Sequence, residues 1–239
     1  METIINRMQN TYSKSGLVLD MSVQKLQETG RDIIRDKSRH MNHGMCINET
    51  NIIQTKEGIC ALSLDGVNDY VEVPDNASLK PTKVVTMEFW ANPSSYSDVT
   101  LNRCLGFAIQ EGYSFWQWAD NGVPACWSME LNKINNTRRK IEPGINQIPL
   151  NTYTHIVIIF DTENGKITVY KNGAFFQDKS IVTGDIVYSG KFLIGDKFKA
   201  IFNDVRIYNR ALSAEEVRGN IFVSKRYRFM RGVQKCGVQ

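Results

Sequence analysis

The chain has 239 residues, of which 42% are hydrophobic and 23% charged, and its formal net charge is +4. This composition is typical of a soluble globular protein and not of a disordered or fibrous one. No apolar run is long enough to span a bilayer, and the polar N-terminal sequence METIINRMQNTYSKSG lacks the apolar stretch of a signal peptide. We therefore expect one large domain, made in the cytoplasm, without a membrane span.

Short strand patterns separated by turn residues run along most of the chain. The segment 155–160 is apolar on both faces, which indicates a central strand, and the two Asn-Gly pairs that flank KITVYK indicate a hairpin. The predicted strands occupy residues 17–21, 59–64, 70–73, 84–91, 104–110, 113–118, 125–131, 155–160, 166–170, 174–177, 192–195 and 203–208. Many short strands at regular spacing predict an all-β sandwich or jelly roll.

The last predicted strand has the alternation of a half-buried strand. Val205 and Ile207 would face the core, and the alternate side chains of Asp204, Arg206 and Tyr208 would lie on the other, polar face.

One short helix is predicted after this strand. Ser213 and Glu216 have the S-x-x-E spacing of a capping box, in which each residue accepts a hydrogen bond from the backbone N–H of the other. Residues 23–36 are the other helical candidate, but Gly30 interrupts their pattern. We therefore expect one capped helix near the C-terminus of a chain that is otherwise built from strands.

The positive charge is concentrated at the C-terminal end. Residues 218–239 hold six basic and no acidic residues, and the rest of the chain holds 23 basic against 25 acidic ones. Apolar side chains such as Phe222 and Phe229 are interleaved with the charges. The segment is either a solvated tail or a docking segment for an acidic partner, such as a neighbouring subunit, nucleic acid or a membrane surface.

The five cysteines fit neither a metal site nor a disulfide framework. Their number is odd, and no C-x-x-C pair occurs. We expect reduced thiols, as in a protein made in the cytoplasm. The cysteines are Cys46, Cys60, Cys104, Cys126 and Cys236.

Six separated segments carry a family resemblance. They are GLVLDM at 16–21, DKSRHMNHG at 36–44, ALSLDGVNDYVEVPDNASL at 61–79, VTMEFWANP at 85–93, YTHIVIIFD…GKITVYKNG at 153–173 and FKAIFNDVRIYNRALSAEEV at 198–217. In this order they resemble the laminin-G-like, concanavalin A-like jelly-roll family over about residues 16–222, although residues 95–150 match poorly. The resemblance implies an all-β, concanavalin A-like jelly-roll β-sandwich of two antiparallel sheets.

The resemblance divides the chain into three parts. Residues 1–16 form an N-terminal extension, residues 17–222 the laminin-G-like domain, and residues 223–239 a basic and aromatic C-terminal segment. It also implies that the last long strand pairs near the first, and that the capped turn locks this closure.

The resemblance also implies a structural calcium ion. Related jelly rolls often hold one with an Asp at the start of the closing strand and with main-chain carbonyls near the first strand and the D-G turn. The matching candidates here are Asn203, the carbonyl of Gly66 and Asp20. Because Asn203 replaces the Asp, the site loses a charged ligand, and a hydrogen-bonded structural asparagine is the alternative.

The sequence does not favour catalysis. The glucanases of this superfamily place carboxylates in an E-x-D-x-x-E pattern on one face of a strand, whereas Glu88 has no acidic partner at positions 86 or 90. His40 and His43 share a loop with Asp36, where either a metal site or loop hydrogen bonding is conceivable. His155 begins an apolar strand, as expected of a core histidine. We expect no enzyme, and a glycoside hydrolase is the least favoured function.

An aromatic stretch, GYSFWQWADNGVPACW at 112–127, is the candidate ligand site. Trp116 and Trp118 share one face of a strand, and Tyr113 and Phe115 share the other. One set packs into the core. The other set either packs as well, forms a protein interface, or stacks on sugar rings, with hydrogen bonds from Gln117, Asp120 and Asn121.

We predict a non-catalytic binding or structural protein. The first hypothesis is a virion or particle surface component, decorating or tail-associated, that also recognises carbohydrate and docks on a neighbouring structural subunit or a second copy through residues 223–239. The alternative is a free-standing lectin-like module that binds a glycan. Nucleic acid is not the expected partner.

Overall fold

The computed structural model describes residues 14–23, 25–28, 31–48, 50–55, 60–95, 102–107, 112–120, 123–134, 137–141 and 148–230. Within these residues the chain forms seventeen strands, one α-helix and one short 3-10 turn at Ala77–Leu79. The strands are β1 (Leu17–Met21), β2 (Lys25–Glu28), β3 (Arg31–Ile34), β4 (Gly44–Ile47), β5 (Asn51–Gln54), β6 (Cys60–Asp65), β7 (Tyr70–Val73), β8 (Val84–Pro93), β9 (Asn102–Phe107), β10 (Gly112–Asp120), β11 (Val123–Ile134), β12 (Thr137–Ile141), β13 (Thr154–Asp161), β14 (Lys166–Lys171), β15 (Ala174–Ser180), β16 (Phe192–Ile194) and β17 (Lys199–Tyr208). The helix α1 spans Ala214–Met230.

The strands form two antiparallel sheets. Sheet I has the order β15-β14-β13-β8-β17-β6-β5, and β1 pairs with the second half of β17. Sheet II has the order β12-β11-β10-β9-β16-β7-β4-β3-β2. In sheet I, Phe202 of β17 lies opposite Leu62 of β6, and Arg206 of β17 lies opposite Asp20 of β1. The predicted fold class is confirmed, and the last strand pairs directly with the first.

The core lies between the inner faces of the two sheets. Phe89 of sheet I packs against Phe115 of sheet II with ring centroids 5.1 Å apart, and Tyr113 lies 6.1 Å from Phe160 in the same way. The buried hydroxyl of Tyr113 donates a hydrogen bond to the carbonyl of Leu79 at 3.0 Å. The side chains of Tyr113 and Phe115 are therefore the core-facing set of the aromatic stretch.

Helix α1 covers part of the outer face of sheet I. Val217 of the helix packs with Leu212 and with the outer-face side chains Val157, Ile159 and Tyr208 in a second apolar cluster. The expectation of a half-buried last strand is therefore wrong, because the helix removes the outer face from water. Arg206 and Tyr208 are only 1% and 0% exposed.

The helix begins as the sequence predicts. The N–H of Ser213 donates to Glu216 Oε2 at 2.8 Å, and the N–H of Glu216 donates to Ser213 Oγ at 3.2 Å, which is the capping box. Glu216 also accepts two hydrogen bonds from Arg210. At 17 residues the helix is longer than expected and contains the anticipated boundary at residue 222, while residues 231–239 lie outside the described residues. No helix in the described part of the chain is long and apolar enough to cross a membrane.

The other helical candidate forms strands. In residues 23–36, β2 and β3 pair as a hairpin in which Lys25 lies opposite Ile34 and Glu28 opposite Arg31. Gly30 divides this segment into pieces too short for a stable helix, and β-branched residues such as Ile34 fit a pleated sheet better.

The cysteines do not all behave as predicted. Cys60 is disulfide-bonded, so the expectation of reduced cysteines is wrong at this position. Cys46 and Cys104 are thiols, and the side chains of Cys126 and Cys236 lie outside the described residues. A disulfide persists in an oxidising environment, so Cys60 does not support the cytoplasmic redox state inferred from the cysteine pattern.

We predict that Gly195→Ala strongly destabilises the fold. Gly195 has φ of +85°, and a Cβ atom there would overlap the buried side chain of Leu64. The left-handed backbone costs about 1–2 kcal/mol for Ala, and overpacking adds about 1–3 kcal/mol. Gly190→Ala is the matched control, because Gly190 also has positive φ (+76°) but is exposed. Urea unfolding of both variants measures the difference, and equal losses would contradict the packing argument.

Candidate functional site

One row of side-chain positions crosses the outer face of sheet II. Each position is flanked along its strand by a residue that packs into or against the core, and alternate residues of a strand face opposite sides, so the row faces outward. Neighbouring strands are paired in register along it. The row consists of Ser114 (β10), Gly106 (β9), Leu193 (β16), Glu72 (β7), Met45 (β4) and Ile33 (β3), and we call it the outer row.

Glu72 places a carboxylate in the middle of this row. Its side chain is 15% exposed and forms an ion pair with Lys191, which is 54% exposed, at an O–N distance of 2.6 Å. Lys191 lies two residues before Leu193 and therefore on the same side of the sheet. The neighbours of Glu72 in the row, Leu193 and Met45, are apolar. The outer row thus combines one charge pair with two apolar neighbours, of which Met45 is partly exposed and Leu193 is buried.

Gly106 interrupts the row with a position that has no side chain. Its φ is +139°, and a Cβ atom would lie 2.5 Å from Ser114 Cα and 2.6 Å from the carbonyl oxygen of Tyr113. Strands β9 and β10 approach too closely here for any larger residue. Gly106 is itself buried, as are Ser114 (1% exposed) and Leu193 (8% exposed), so the partly exposed positions of the row are Glu72, Met45 and Ile33.

Trp116 lies on the same outer face but is not an exposed platform. Its ring is 6% exposed, and its indole N–H donates a hydrogen bond to Ser114 Oγ, two positions earlier on the strand. Because the ring is buried, its indole N–H needs a hydrogen-bond acceptor, and Ser114 Oγ provides one. The bond also holds the ring along the strand. Of the alternatives left open for this side of the aromatic stretch, the burial of Trp116 agrees with packing, and its role in ligand binding stays a prediction.

The other predicted ligand residues cannot be placed as fully. The backbones of Gln117, Trp118 and Asp120 lie in β10, where Gln117 is opposite Trp127 and Trp118 opposite Cys126. Their side chains, and Asn121 as a whole, lie outside the described residues. Their proposed role in sugar binding stays a prediction.

The three candidate calcium ligands lie far apart. Gly66 contacts Lys199 at the beginning of β17, whereas Asp20 pairs with Arg206, seven positions further along, which corresponds to roughly 20 Å. The amide nitrogen of Asn203 donates to the Cys60 carbonyl at 2.7 Å. These three residues therefore do not fit one coordination sphere, and calcium binding stays a prediction.

The loop that contains His40 and His43 is held by Asp36. The Asp36 carboxylate, in a residue only 2% exposed, accepts hydrogen bonds from the backbone N–H groups of Asp20, Ser38 and Asn42 at 2.7–2.8 Å and from the Ser38 hydroxyl. His43 Nδ1 accepts the N–H of Asp36. Within the described residues no three or more His, Cys, Asp or Glu side chains cluster as metal ligands.

A second group of polar residues is buried between sheet I and α1. Glu88 of β8 is at its centre, with Oε1 2.9 Å from His155 Nε2 of β13 and Oε2 accepting from Asn220 of α1 at 2.7 Å. Tyr208 of β17 also donates to Oε2, at 3.2 Å. Arg206 lies 3.5 Å from Glu88 Oε1 and 3.4 Å from Asp20 Oδ1. We call these six residues the Glu88 cluster.

The Glu88 carboxylate remains charged in this setting. Burial alone would raise its pKa, but the hydrogen bond from His155, the positive charge of Arg206 and the hydrogen bond from Asn220 together hold the pKa below its ordinary value of 4.5. Glu88 is completely buried, so no substrate reaches it. The cluster joins four strands to the helix and does not form a catalytic site.

The acidic positions along this row are too widely spaced for glycoside hydrolysis. One strand beyond Ser114 the row reaches Glu130 of β11, whose backbone lies opposite Ser114 and whose side chain is outside the described residues. Four strand spacings, about 19 Å, separate the backbones of Glu72 and Glu130. Glycosidases need two carboxyl groups roughly 5–9.5 Å apart. The six positions of the outer row include one carboxylate, Glu72, and so do not offer that pair.

The chain also matches a known family. The Laminin_G_3 model, which describes the concanavalin A-like lectin/glucanases superfamily, matches residues 65–218, more than half of the chain. The chain belongs to this superfamily. The match confirms the resemblance drawn from the sequence motifs. No curated protein sequence matches the chain.

Solved structures with this fold include the binding domains of clostridial toxins. The binding domain of Paraclostridial Mosquitocidal Protein 1 aligns with a TM-score of 0.70 at 17% sequence identity. The alignment covers 88% of the present chain and 53% of the toxin chain. The binding domain of botulinum neurotoxin DC in complex with rat synaptotagmin II aligns with 0.66 at 14%, over 87% and 51%. The botulinum neurotoxin serotype D ligand binding domain in complex with N-acetylneuraminic acid aligns with 0.66 at 14%, over 88% and 51%. The chain thus spans about half the length of these chains.

The sequence did not identify three residues that are important in the outer row and in the Glu88 cluster. Glu72 occupies the variable position of the D-Y-V-x-V-P motif, where strand alternation alone places it outward. Lys191 has no local signal, because its partner is 119 residues away. Asn220 was seen only as part of the basic end, although a polar residue three positions after Val217 shares its helix face.

We predict that Glu88→Gln lowers the stability of the protein in a pH-dependent way. At neutral pH the free energy of unfolding should fall by about 3–5 kcal/mol, because Arg206 loses a buried counter-charge. The folded-state pKa of Glu88 is below 4.5, so its stabilisation is complete above that pH and is lost as the pH falls through the folded pKa. Urea unfolding at several pH values measures this difference.

The exposed Glu215→Gln is the control and should change stability little. The difference in the free energy of unfolding between Glu88→Gln and the unmodified protein should become smaller below pH 4.5. A difference that stays constant down to strongly acidic pH would contradict a charged Glu88.

Proposed function

We propose that this protein is a non-catalytic binding module that recognises a carbohydrate on the outer row of sheet II. The observation that carries the proposal is the Glu72–Lys191 pair, a half-exposed charge pair in an otherwise apolar part of the row. Sugars combine hydroxyl groups with apolar C–H faces. A ligand site for them needs a few placed polar groups on an apolar floor, which the outer row provides.

Each group has a defined task in this proposal. The Glu72 carboxylate accepts hydrogen bonds from two sugar hydroxyls, and the Lys191 ammonium donates to a ring or hydroxyl oxygen. Met45 and Ile33, which are partly exposed, offer the apolar contact. The ligand takes over part of the pairing that Glu72 and Lys191 make with each other.

Membership of the superfamily and the fold of the toxin binding domains support binding over catalysis. The ligand binding domain of serotype D is in complex with a sugar, N-acetylneuraminic acid, and the binding domain of neurotoxin DC with rat synaptotagmin II. The wide spacing between the backbones of Glu72 and Glu130 argues against the two-carboxylate mechanism of glycosidases. The particle-surface location proposed from the sequence receives no support from these features and stays a prediction.

Glycan-array and calorimetric binding of the full chain test the proposal. Glu72→Gln and Lys191→Met should each weaken binding of the selected glycan about tenfold or more, because each removes a charge-assisted hydrogen bond. Lys166→Met, which breaks the ion pair with Asp178 at the edge of sheet I, is the matched control and should bind normally. A chain that binds no glycan, or variants that bind as well as the unmodified protein, would refute the site.

A further inference from the structure

Tyr70 carries an aromatic side chain on the outer face of sheet II that the fold leaves without a partner. It is partly exposed, whereas the next residue of β7, Val71, is buried in the core. Among the described residues its hydroxyl makes no hydrogen bond and its ring contacts no other aromatic ring. The hydroxyls of Tyr113, Tyr188 and Tyr208, in contrast, each donate to a carbonyl or a carboxylate. The Tyr70 side chain is therefore available to a ligand.

Tyr70 and three neighbouring side chains form a compact group. In the pairing of β4 with β7, Ile47 lies opposite Tyr70 and Met45 lies opposite Glu72. Alternate residues of a strand face the same side, and all four side chains are partly exposed, so the four project outward together. Opposite Cβ atoms in such a pair are about 5 Å apart, and successive outward residues of one strand are about 7 Å apart. We call these four residues the Tyr70 patch.

The carboxylate of Glu72 offers this patch a hydrogen-bond acceptor. Its Oε1 accepts a hydrogen bond from Lys191 Nζ at 2.6 Å, whereas its Oε2 has no partner among the described residues. Phe192 lies opposite Val73, so Lys191 lies on the side of Glu72 that is away from Tyr70. The ion pair therefore holds the carboxylate from one side and leaves an oxygen free for a ligand.

We propose that the Tyr70 patch is the sugar-binding part of the outer-row site and that it takes a neutral pyranose. This inference rests on the proposed function. The C–H face of the sugar ring lies on the ring of Tyr70, which provides a large and rigid contact area. Met45 and Ile47 contact the edge of the sugar, and a sugar hydroxyl donates a hydrogen bond to Glu72 Oε2. The spacing of about 7 Å between Tyr70 and Glu72 suits one sugar ring and its hydroxyl groups.

The charge of the patch determines the class of sugar. A carboxylate such as that of Glu72 accepts hydrogen bonds and cannot donate them, so it favours a ligand that carries hydroxyl groups. An acidic sugar would bring a second negative charge close to Glu72, whose side chain is only 15% exposed and is therefore weakly screened by water and salt. Lys191 already pairs with Glu72 and lies away from Tyr70. The patch therefore selects against sialic and uronic acids.

A glycan array and calorimetric titration of the full chain test the inference. We expect glycans that end in a neutral hexose to bind at least about tenfold more tightly than the same glycans ending in a sialic or uronic acid. This comparison uses the unmodified chain and so does not depend on the folding of any variant.

Variants of Tyr70 test the stacking contact. Tyr70→Ala should weaken binding of the neutral glycan by about tenfold or more, because it removes the aromatic contact area. Tyr70→Phe keeps the ring and should bind much more tightly than Tyr70→Ala. Phe175→Ala is the matched control, because it removes an exposed aromatic ring from sheet I, and it should bind as the unmodified protein does. Thermal melts of all variants verify that the fold is intact.

The results distinguish this inference from the proposed function. Glycan binding that Glu72→Gln weakens and folded Tyr70→Ala leaves unchanged would overturn the Tyr70 patch and retain the outer row as the site. Tighter binding of acidic than of neutral glycans would overturn the neutral class of ligand and also retain the outer row. A chain that binds no glycan would overturn both.

Discussion

A single buried carboxylate ties the outer layer of the molecule together. Glu88 is bonded to His155 on one neighbouring strand, to Tyr208 on the other and to Asn220 of α1, and Arg206 supplies the opposite charge. A buried carboxylate without such partners would be strongly disfavoured, so the helix and the cluster depend on each other. If α1 were removed, Glu88 would lose Asn220 and the apolar residues around Tyr208 would meet water.

This dependence makes the two faces of the sandwich different. The outer face of sheet I is partly covered by helix α1, and the polar groups beneath the helix serve the fold. The outer face of sheet II has no such helix among the described residues, and its charge pair, Glu72 and Lys191, stays partly in water. A charge pair that is half-exposed can exchange its partners for those of a ligand, whereas one that is fully buried cannot do so without unfolding its surroundings.

The features that could be predicted from the sequence are those set by local patterns. Strand alternation and turn residues gave the sandwich, and the S-x-x-E spacing located the beginning of α1 at Ser213. Alternation also divided the aromatic stretch correctly, with Tyr113 and Phe115 inside.

The failures share one cause, which is contact between residues distant in sequence. Arg206 looked exposed because a strand pattern cannot show that a helix will cover it. Lys191 and Glu72 are 119 residues apart, and the disulfide of Cys60 follows from three-dimensional proximity and not from spacing.

The family match ends at residue 218, but α1 continues to Met230. Asn220, which completes the Glu88 cluster, and the exposed Phe222 are both beyond the matched region. The buried and exposed sides of this part of the helix therefore act as one unit: the polar bond on one side holds the aromatic side chain on the other in place. Function within a shared fold resides in such local additions. Weakening the Asn220–Glu88 bond should therefore also loosen the exposed side of the helix.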